Sequence, residues 1–398
     1  MARALWIIIT CGALILTLST GLRASFGLFL KPMTVDLDIS RGVFAFAIGL
    51  QNLLWGAASP FAGAWADRLG TGRVIIVGAF FYALGLAGMA FGTDGTQIVL
   101  AQVLVGFGLA GAGFSTVLGA VGRAAAPEKR SMALGIAAAG GSFGQFAVVP
   151  YGHELMSHFG WHWALFGLAL TSLLMVPLAA GVAGRPVAPA GARQSLGEAL
   201  REAVTHRGFI LLTIGFFVCG FQVVFVATHL PAYLADKAMP SWLGAWSLAL
   251  VGLGNIVGTY ACGWLGGRYP KKNLLALLYL LRSLVFLVFI LMPLTEASVL
   301  AFAGTLGLLW LGTVPLTSGL VAYIFGPAYM SMLYGIVFFS HQIGSFMGSW
   351  LAGVAYDLTG SYDVMWWGSV AMGLVAAALN WPIVERPVAR LAAAPARA

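Results

Sequence analysis

Apolar runs of twenty or more residues, parted by short polar stretches, recur from one end of this 398-residue chain to the other. A run of that length crosses the roughly 30 Å hydrocarbon core of a bilayer as an α-helix. The runs fall near 4–30, 42–65, 73–93, 97–121, 131–154, 162–184, 208–234, 241–266, 273–293, 297–323, 331–355 and 364–384. In lipid every backbone polar group needs a partner within its own segment or a closed barrel. Runs of this length therefore predict an all-α membrane protein with twelve transmembrane helices, numbered here as spans 1 to 12. Only 9% of residues are charged, against about 25% in a soluble domain.

The first run is too long for the apolar region of a signal peptide, and Arg23 interrupts it where cleavage would be expected, so it is read as span 1. The cysteines, Cys11, Cys219 and Cys262, lie in apolar runs without paired spacing and are expected to pack as small buried side chains. The net charge of +8 is dispersed between runs and forms no nucleic-acid patch.

Lysine and arginine set the orientation. With the N-terminus inside, 16 fall on the cytoplasmic side and three, Lys31, Arg41 and Lys237, on the other, while Arg23 and Arg282 lie within spans. The positive-inside rule then puts both termini in the cytoplasm, and an odd number of spans would destroy the asymmetry.

The longest hydrophilic stretch, 185–207, falls at mid-chain. Ser195 and Glu198 have capping-box spacing, and Leu196, Leu200 and Ala203 follow on one face, which predicts a short amphipathic helix on the membrane surface. The stretch divides a six-helix bundle at 1–184 from another at 208–398. The halves repeat at an offset of 200. Ser131, Met132, Gly135, Ile136, Gly144 and Phe146 return as Ser331, Met332, Gly335, Ile336, Gly344 and Phe346, six identities in the 16 positions 131–146. Two six-span pseudo-repeats predict a solute site near the midplane between them.

After span 2 stands Gly63-Ala-Trp-Ala-Asp67-Arg68-Leu-Gly70-Thr-Gly-Arg73. Gly63 permits close helix approach, Gly70 a tight turn, and Asp67 can pair with Arg68, Arg73 or a neighbouring helix end. Such a pair can latch one side shut and release it when the halves rock. This run resembles the loop 2–3 signature of the major facilitator superfamily, whose fold is the twelve-helix, two-repeat one. The second copy, Gly263 to Arg268, carries Gly267 where the acid should be, which weakens its latch. Glu128 through Gly144, Gly335 to Gly348 and Tyr356 to Gly360 resemble the span 5 and span 11 patterns of the monocarboxylate porter group. That group's span 1 pattern is only partly visible in 20–27, and much of the glycine in these runs also serves helix packing.

Proton-linked sugar and drug carriers of the superfamily usually show an arginine in span 4, where this chain has Gln102. None of the 13 acidic residues falls in mid-span, so no carboxylate relay crosses the midplane. The polar groups inside the membrane are cationic or neutral. Arg23 needs water, a partner or a ligand there, either by snorkelling to the surface or by holding a solute. His229 of span 7 and His341 of span 11 are either hydrogen-bonded core residues or titrating ones. Gln222, Asn52 and Asn255 are further candidates for contact with solute, and interhelical hydrogen bonding is the alternative for each. Asn52, Trp55 and Ser59 share a helix face. Arg282, on the peripheral span 9, reads as structural more readily than as a solute contact. The expected solute-binding set is thus Arg23, Asn52, Gln222, His229, Asn255 and His341. The gating set is Gly63, Asp67, Arg68, Gly70, Arg73 and Arg268.

A membrane interior with two Arg, two His and no acid favours an anionic solute. The expected function is a secondary active transporter for a small organic anion, a monocarboxylate, with protons as a candidate coupling ion. Carriage of a neutral aromatic compound, a vitamin or drug, is the alternative. No nucleotide-binding loop, nucleophile triad or metal-ligand spacing is present in the sequence, so neither an enzyme nor a cofactor is expected. A monomer in a cell inner membrane, in contact with lipid, completes the expectation.

Overall fold

The computed structural model describes residues 2–124, 127–183, 196–326 and 330–389, and the regular structure among them is entirely helical. Span 1 comprises helices Ala2–Ala24 and Phe26–Asp36, span 2 Arg41–Leu69, span 3 Thr71–Phe91, and span 4 Gly95–Ala112 with Phe114–Ala124. Spans 5 and 6 share Pro127–Ser172, and span 6 continues through Met175–Ala179. Helix Leu196–Thr205 leads to span 7, Arg207–Asp236. Span 8 is Ser241–Gly266, span 9 Lys271–Leu291 and span 10 Glu296–Leu308 with Thr313–Phe325. Span 11 is Met330–Thr359 and span 12 Asp363–Asn380. Among the described residues, nine helical stretches are long and apolar enough to cross a membrane by length and composition. One of them, 135–182, holds two spans: it turns back at Gly160 (φ 76°), which brings the Tyr151 hydroxyl to 3.1 Å from Thr171 Oγ1. Spans 11 and 12 complete the twelve.

Hydropathy marks the lipid core but not the helix ends, so several helices outrun the apolar segments. Span 2 continues past residue 65 and stops at Gly70, whose φ of 94° breaks the helix in the left-handed region that favours glycine. Span 1 continues past Leu30 to Asp36. Spans 4 and 10, unbroken in the sequence pattern, are interrupted at Gly113 and at 309–312.

Helix Leu196–Thr205 follows the predicted linker position, but a different face packs inward. Ala199 and Ala203, one turn apart, are buried, whereas Leu200 is 37% exposed. Small side chains let the short helix lie close to its neighbour, and Leu200 is left on the outer side. Ser195 of the expected capping box lies outside the described residues.

The two halves pack alike. A side chain at Gly144 of span 5 would collide with the Thr17 carbonyl of span 1, and one at Gly344 of span 11 with the Phe217 carbonyl of span 7. The repeat seen in sequence therefore preserves a backbone-to-backbone helix contact in each half. Among the described residues, the contacts between the halves lie on one side of the molecule and in its middle. Call the face where span 1 begins and span 12 ends the near face. At the far face Gly353 of span 11 abuts the Arg41 carbonyl of span 2, and Gly27 of span 1 the Ala227 carbonyl of span 7. At the near face Gly63 and Gly135, with their repeat mates Gly263 and Gly335, have open space where a side chain would stand. The far face is shut, and among the described residues these close contacts between the halves are not repeated at the near face.

Candidate functional site

Arg23 sits two residues before the break in span 1, in the last turn of helix Ala2–Ala24, and is half-buried. The break is local: Ser25, the residue between the two helices, donates its hydroxyl to the Leu22 carbonyl at 2.7 Å. Span 2 brings Asn52 and Trp55 to Arg23 from the shared face expected of them. Nε and NH2 of Arg23 both donate to Asn52 Oδ1, at 3.1 and 2.5 Å, and the guanidinium lies 5.3 Å from the Trp55 ring centroid. Asn52 is itself held in place, because its Nδ2 donates to the Ile48 carbonyl at 2.7 Å and its backbone carbonyl accepts from Gln342 Nε2 of span 11 at 3.1 Å. The side-on pair of Arg23 donors is thus used, and the end-on pair on NH1 and NH2 is not. No carboxylate pairs with Arg23 among the described residues. A guanidinium held this way keeps one pair of donors whose geometry matches a carboxylate.

A second constellation closes the far face above it. Asp236, at the end of span 7, accepts from Arg41 NH1 and NH2 of span 2 at 2.6 and 2.8 Å, and from Lys31 of span 1 at 3.1 Å. From span 11, the Asp357 carboxylate accepts from the backbone N–H groups of Arg41 and Gly42, at 3.1 and 2.7 Å. One half thereby caps the first turn of a helix in the other, where the helix dipole favours a negative charge. The Arg41 guanidinium lies 3.8 Å from the Tyr356 ring centroid and donates to Tyr362 Oη at 2.9 Å. Burial pushes the Tyr362 phenol well above its ordinary range, so its proton stays on. Its hydroxyl is 3.1 Å from His229 Nδ1, and His229 Nε2 is 2.9 Å from the Ser349 carbonyl. Because that carbonyl only accepts, Nε2 carries the proton and Nδ1 accepts from Tyr362. Both nitrogens of His229 are engaged in the far-face closure.

The other expected residues are spread over the interface and its supports. Asn255 bridges three elements. Its Nδ2 donates to Ser142 Oγ of span 5 at 3.0 Å, and its Oδ1 accepts from Thr259 and from the Leu311 N–H in the break of span 10. Gln222 is buried beside Arg282, donating to the Ser369 carbonyl at 2.8 Å and accepting from Arg282 NH1 at 3.2 Å. Arg282 NH2 donates to the Leu309 and Trp310 carbonyls at 2.6 and 2.5 Å, which ties off the end of the broken helix. His341 stacks on Phe338, with ring centroids 5.6 Å apart, and contacts Gln342 Oε1 at 3.0 Å. Arg23, Asn52 and, one turn further along span 11, His341 share the neighbourhood of Trp55 and Phe338. Gln222 and Asn255 stand elsewhere, and His229 belongs to the far-face closure.

In the gating set, Gly63 has open space beside it and Gly70 makes the turn between spans 2 and 3. Arg73 is exposed, and Arg268 lies 3.7 Å over the Trp264 ring. The side chains of Asp67 and Arg68 lie outside the described ones. Missing from the sequence-based set are Lys31, Arg41, Asp236, Asp357 and Tyr362. A signal did exist: only three basic residues fall on the far side, and two of them meet one carboxylate.

A sequence profile of the Major Facilitator Superfamily matches residues 10–349. The human protein "Monocarboxylate transporter 11" is 28% identical over 371 residues, covering 90% of this chain and 78% of its own. "Monocarboxylate transporter 13" of Bos taurus is 25% identical over 369 residues, covering 90% and 84%. Among solved structures, a bacterial homolog of the human lysosomal transporter Spinster, inward-facing and unoccupied, superposes with a TM-score of 0.78. It covers 96% of this chain and 97% of its own at 15% identity, a likeness of fold.

Proposed function

The chain belongs to the major facilitator superfamily, and from that premise we propose that it is a secondary active transporter carrying a small organic anion, a monocarboxylate, by alternating access. The observation that carries this reading is Arg23: an embedded guanidinium with no acidic partner among the described residues, held on one side by Asn52 and open on the other. A charge at that depth is costly unless something answers it, and a carboxylate matches the free end of the fork. The names of the relatives agree with a monocarboxylate cargo.

In this reading the near face is cytoplasmic, on the asymmetry of 16 basic residues against three. The protein is then a multi-pass protein of a cell inner membrane with both ends inside, working as a monomer of two bundles, 1–184 and 208–398, joined by 185–207. The conformation described is inward-facing. Asp236 with Arg41 and Lys31 shuts the outer side, and the Asp67–Arg68–Arg73 loop is the latch that closes when the inner side does. If transport is proton-linked, the proton rides on the solute carboxylate or on His341, because His229 has both nitrogens occupied in this state.

The test is uptake by the purified chain in proteoliposomes, using a labelled panel of monocarboxylates with and without a pH gradient. Saturable uptake of at least one, blocked by the others, is expected. If no anion is transported and none competes, the reading fails.

A further inference from the structure

Below Arg23 the two halves meet through rings. Trp55 of span 2 and Phe338 of span 11 form a T-shaped pair, with centroids 5.7 Å apart at 79°. Phe338 lies parallel to His341, at 5.6 Å and 8°, and Tyr334 stands 6.3 Å from Phe338 on the near side. Arg23, Phe338 and Tyr334 are all half-buried rather than sealed. Trp55, whose ring centroid is 5.3 Å from the Arg23 guanidinium, sets this aromatic wall beside the charge that would hold a carboxylate.

The amides and serine hydroxyls beside that wall are engaged by the helices that carry them. Asn52 uses its oxygen for Arg23 and its nitrogen for Ile48. Gln342 donates to the Asn52 carbonyl, Ser59 to the Trp55 carbonyl at 2.6 Å, and Ser345 to the His341 carbonyl at 3.0 Å. Beside Trp55 and Phe338 the hydroxyl of a small hydroxy acid, or the second carbonyl of an oxo acid, faces chiefly ring surface. A buried polar group left unpaired weakens binding, whereas a ring gains from edge and face contacts with the wall.

We propose that this site selects carboxylates that carry an aromatic ring, with Arg23 holding the carboxylate and the Trp55–Phe338 pair holding the ring as the specificity-determining residues. The proposal rests on the carboxylate reading given above and narrows it. Because Trp55 and Phe338 come from different halves, a ring resting on both contacts each half of the carrier at the level where they join.

The test is equilibrium binding of radiolabelled phenylacetate to the full purified chain by scintillation proximity, with unlabelled competitors. Phenylacetate is expected to bind at least about tenfold more tightly than acetate or lactate. Phenylacetamide, which keeps the ring but loses the charge, is expected not to compete. Trp55→Leu and Phe338→Leu should each shrink the ratio of acetate to phenylacetate competition constants toward one, and Trp55→Phe should retain most of it. If the Trp55→Leu chain does not elute as a monodisperse species, Phe338→Leu carries the comparison. Equal competition by acetate, lactate and phenylacetate overturns the aromatic preference and leaves the carboxylate reading intact. Failure of every carboxylate to bind, or equal competition by phenylacetamide, overturns both.

Discussion

Asp236 is the point where the far-face closure is most easily undone. Its two oxygens take the whole Arg41 fork, at 2.6 and 2.8 Å, and Lys31 adds a contact at 3.1 Å. The Arg41 and Asp236 side chains are 10% and 20% exposed and Lys31 is 36% exposed, so the cluster stands between a surface ion pair and a buried one. Exposed pairs contribute up to about 1 kcal/mol, and breaking a buried one costs about 3–5. About 2 kcal/mol is therefore expected for the charge-removing change Asp236→Asn. The two cations that remain, both on the N-terminal half, then lose the negative charge that ties them to span 7. That energy shifts the ratio of outward-open to outward-closed molecules by about thirtyfold. The assay uses Ala45→Cys, a buried position whose carbonyl accepts from Ser349 of span 11, in a chain with Cys11, Cys219 and Cys262 replaced. A membrane-impermeant thiol reagent added from the far side should label it about thirtyfold faster when Asp236→Asn is present. A rate indistinguishable from that of the parent chain would refute the assignment of Asp236 as the latch.

Three further outcomes are expected. Arg282→Met should cost about 1–3 kcal/mol, because it strands the Leu309 and Trp310 carbonyls and Gln222; an unchanged thermal midpoint in detergent would count against it. Gly144→Ala and Gly344→Ala should each lower stability by about 1–3 kcal/mol, while Gly63→Ala, which meets nothing in this conformation, should leave the midpoint unchanged and slow turnover instead. Burial raises the Tyr362 phenol, so the folded state holds that proton where the unfolded chain releases it. Its share of stability is therefore complete below the ordinary tyrosine value of about 10 and declines as pH rises above it. Comparing thermal midpoints across that range, the alkaline decline should be shallower in Tyr362→Phe than in the parent chain.

The membrane fold was legible because its determinants are local. Twenty apolar residues make a span wherever they occur, and the 200-residue repeat is visible in Gly144 and Gly344 because a backbone contact admits no side chain in either half. The breaks at Gly113 and 309–312 escaped the hydropathy pattern, since apolar composition runs through them and the groups that satisfy the freed backbone, Arg282 and Asn255, come from other helices. At the site, i, i+3 spacing put Asn52 and Trp55 on one face, and the cost of an embedded charge singled out Arg23. That these residues meet is a tertiary fact. The far-face closure was illegible for the same reason. Arg41 and Asp236 are 195 residues apart and each reads alone as a solvated loop charge. His229 was singled out by composition as a titrating group in the membrane, but its two hydrogen bonds depend on Tyr362 and Ser349, more than a hundred residues away.

The central claim is that Arg23 is the anion site of an alternating-access carrier. It is tested most directly by uptake of a labelled monocarboxylate into proteoliposomes holding either the parent chain or Arg23→Gln, with equal amounts of monodisperse protein reconstituted. Gln keeps a donor for Asn52 but has no charge to offer. The account predicts that saturable uptake is abolished in Arg23→Gln, with partial recovery in Arg23→Lys. Uptake by Arg23→Gln with the parent affinity and rate would contradict it.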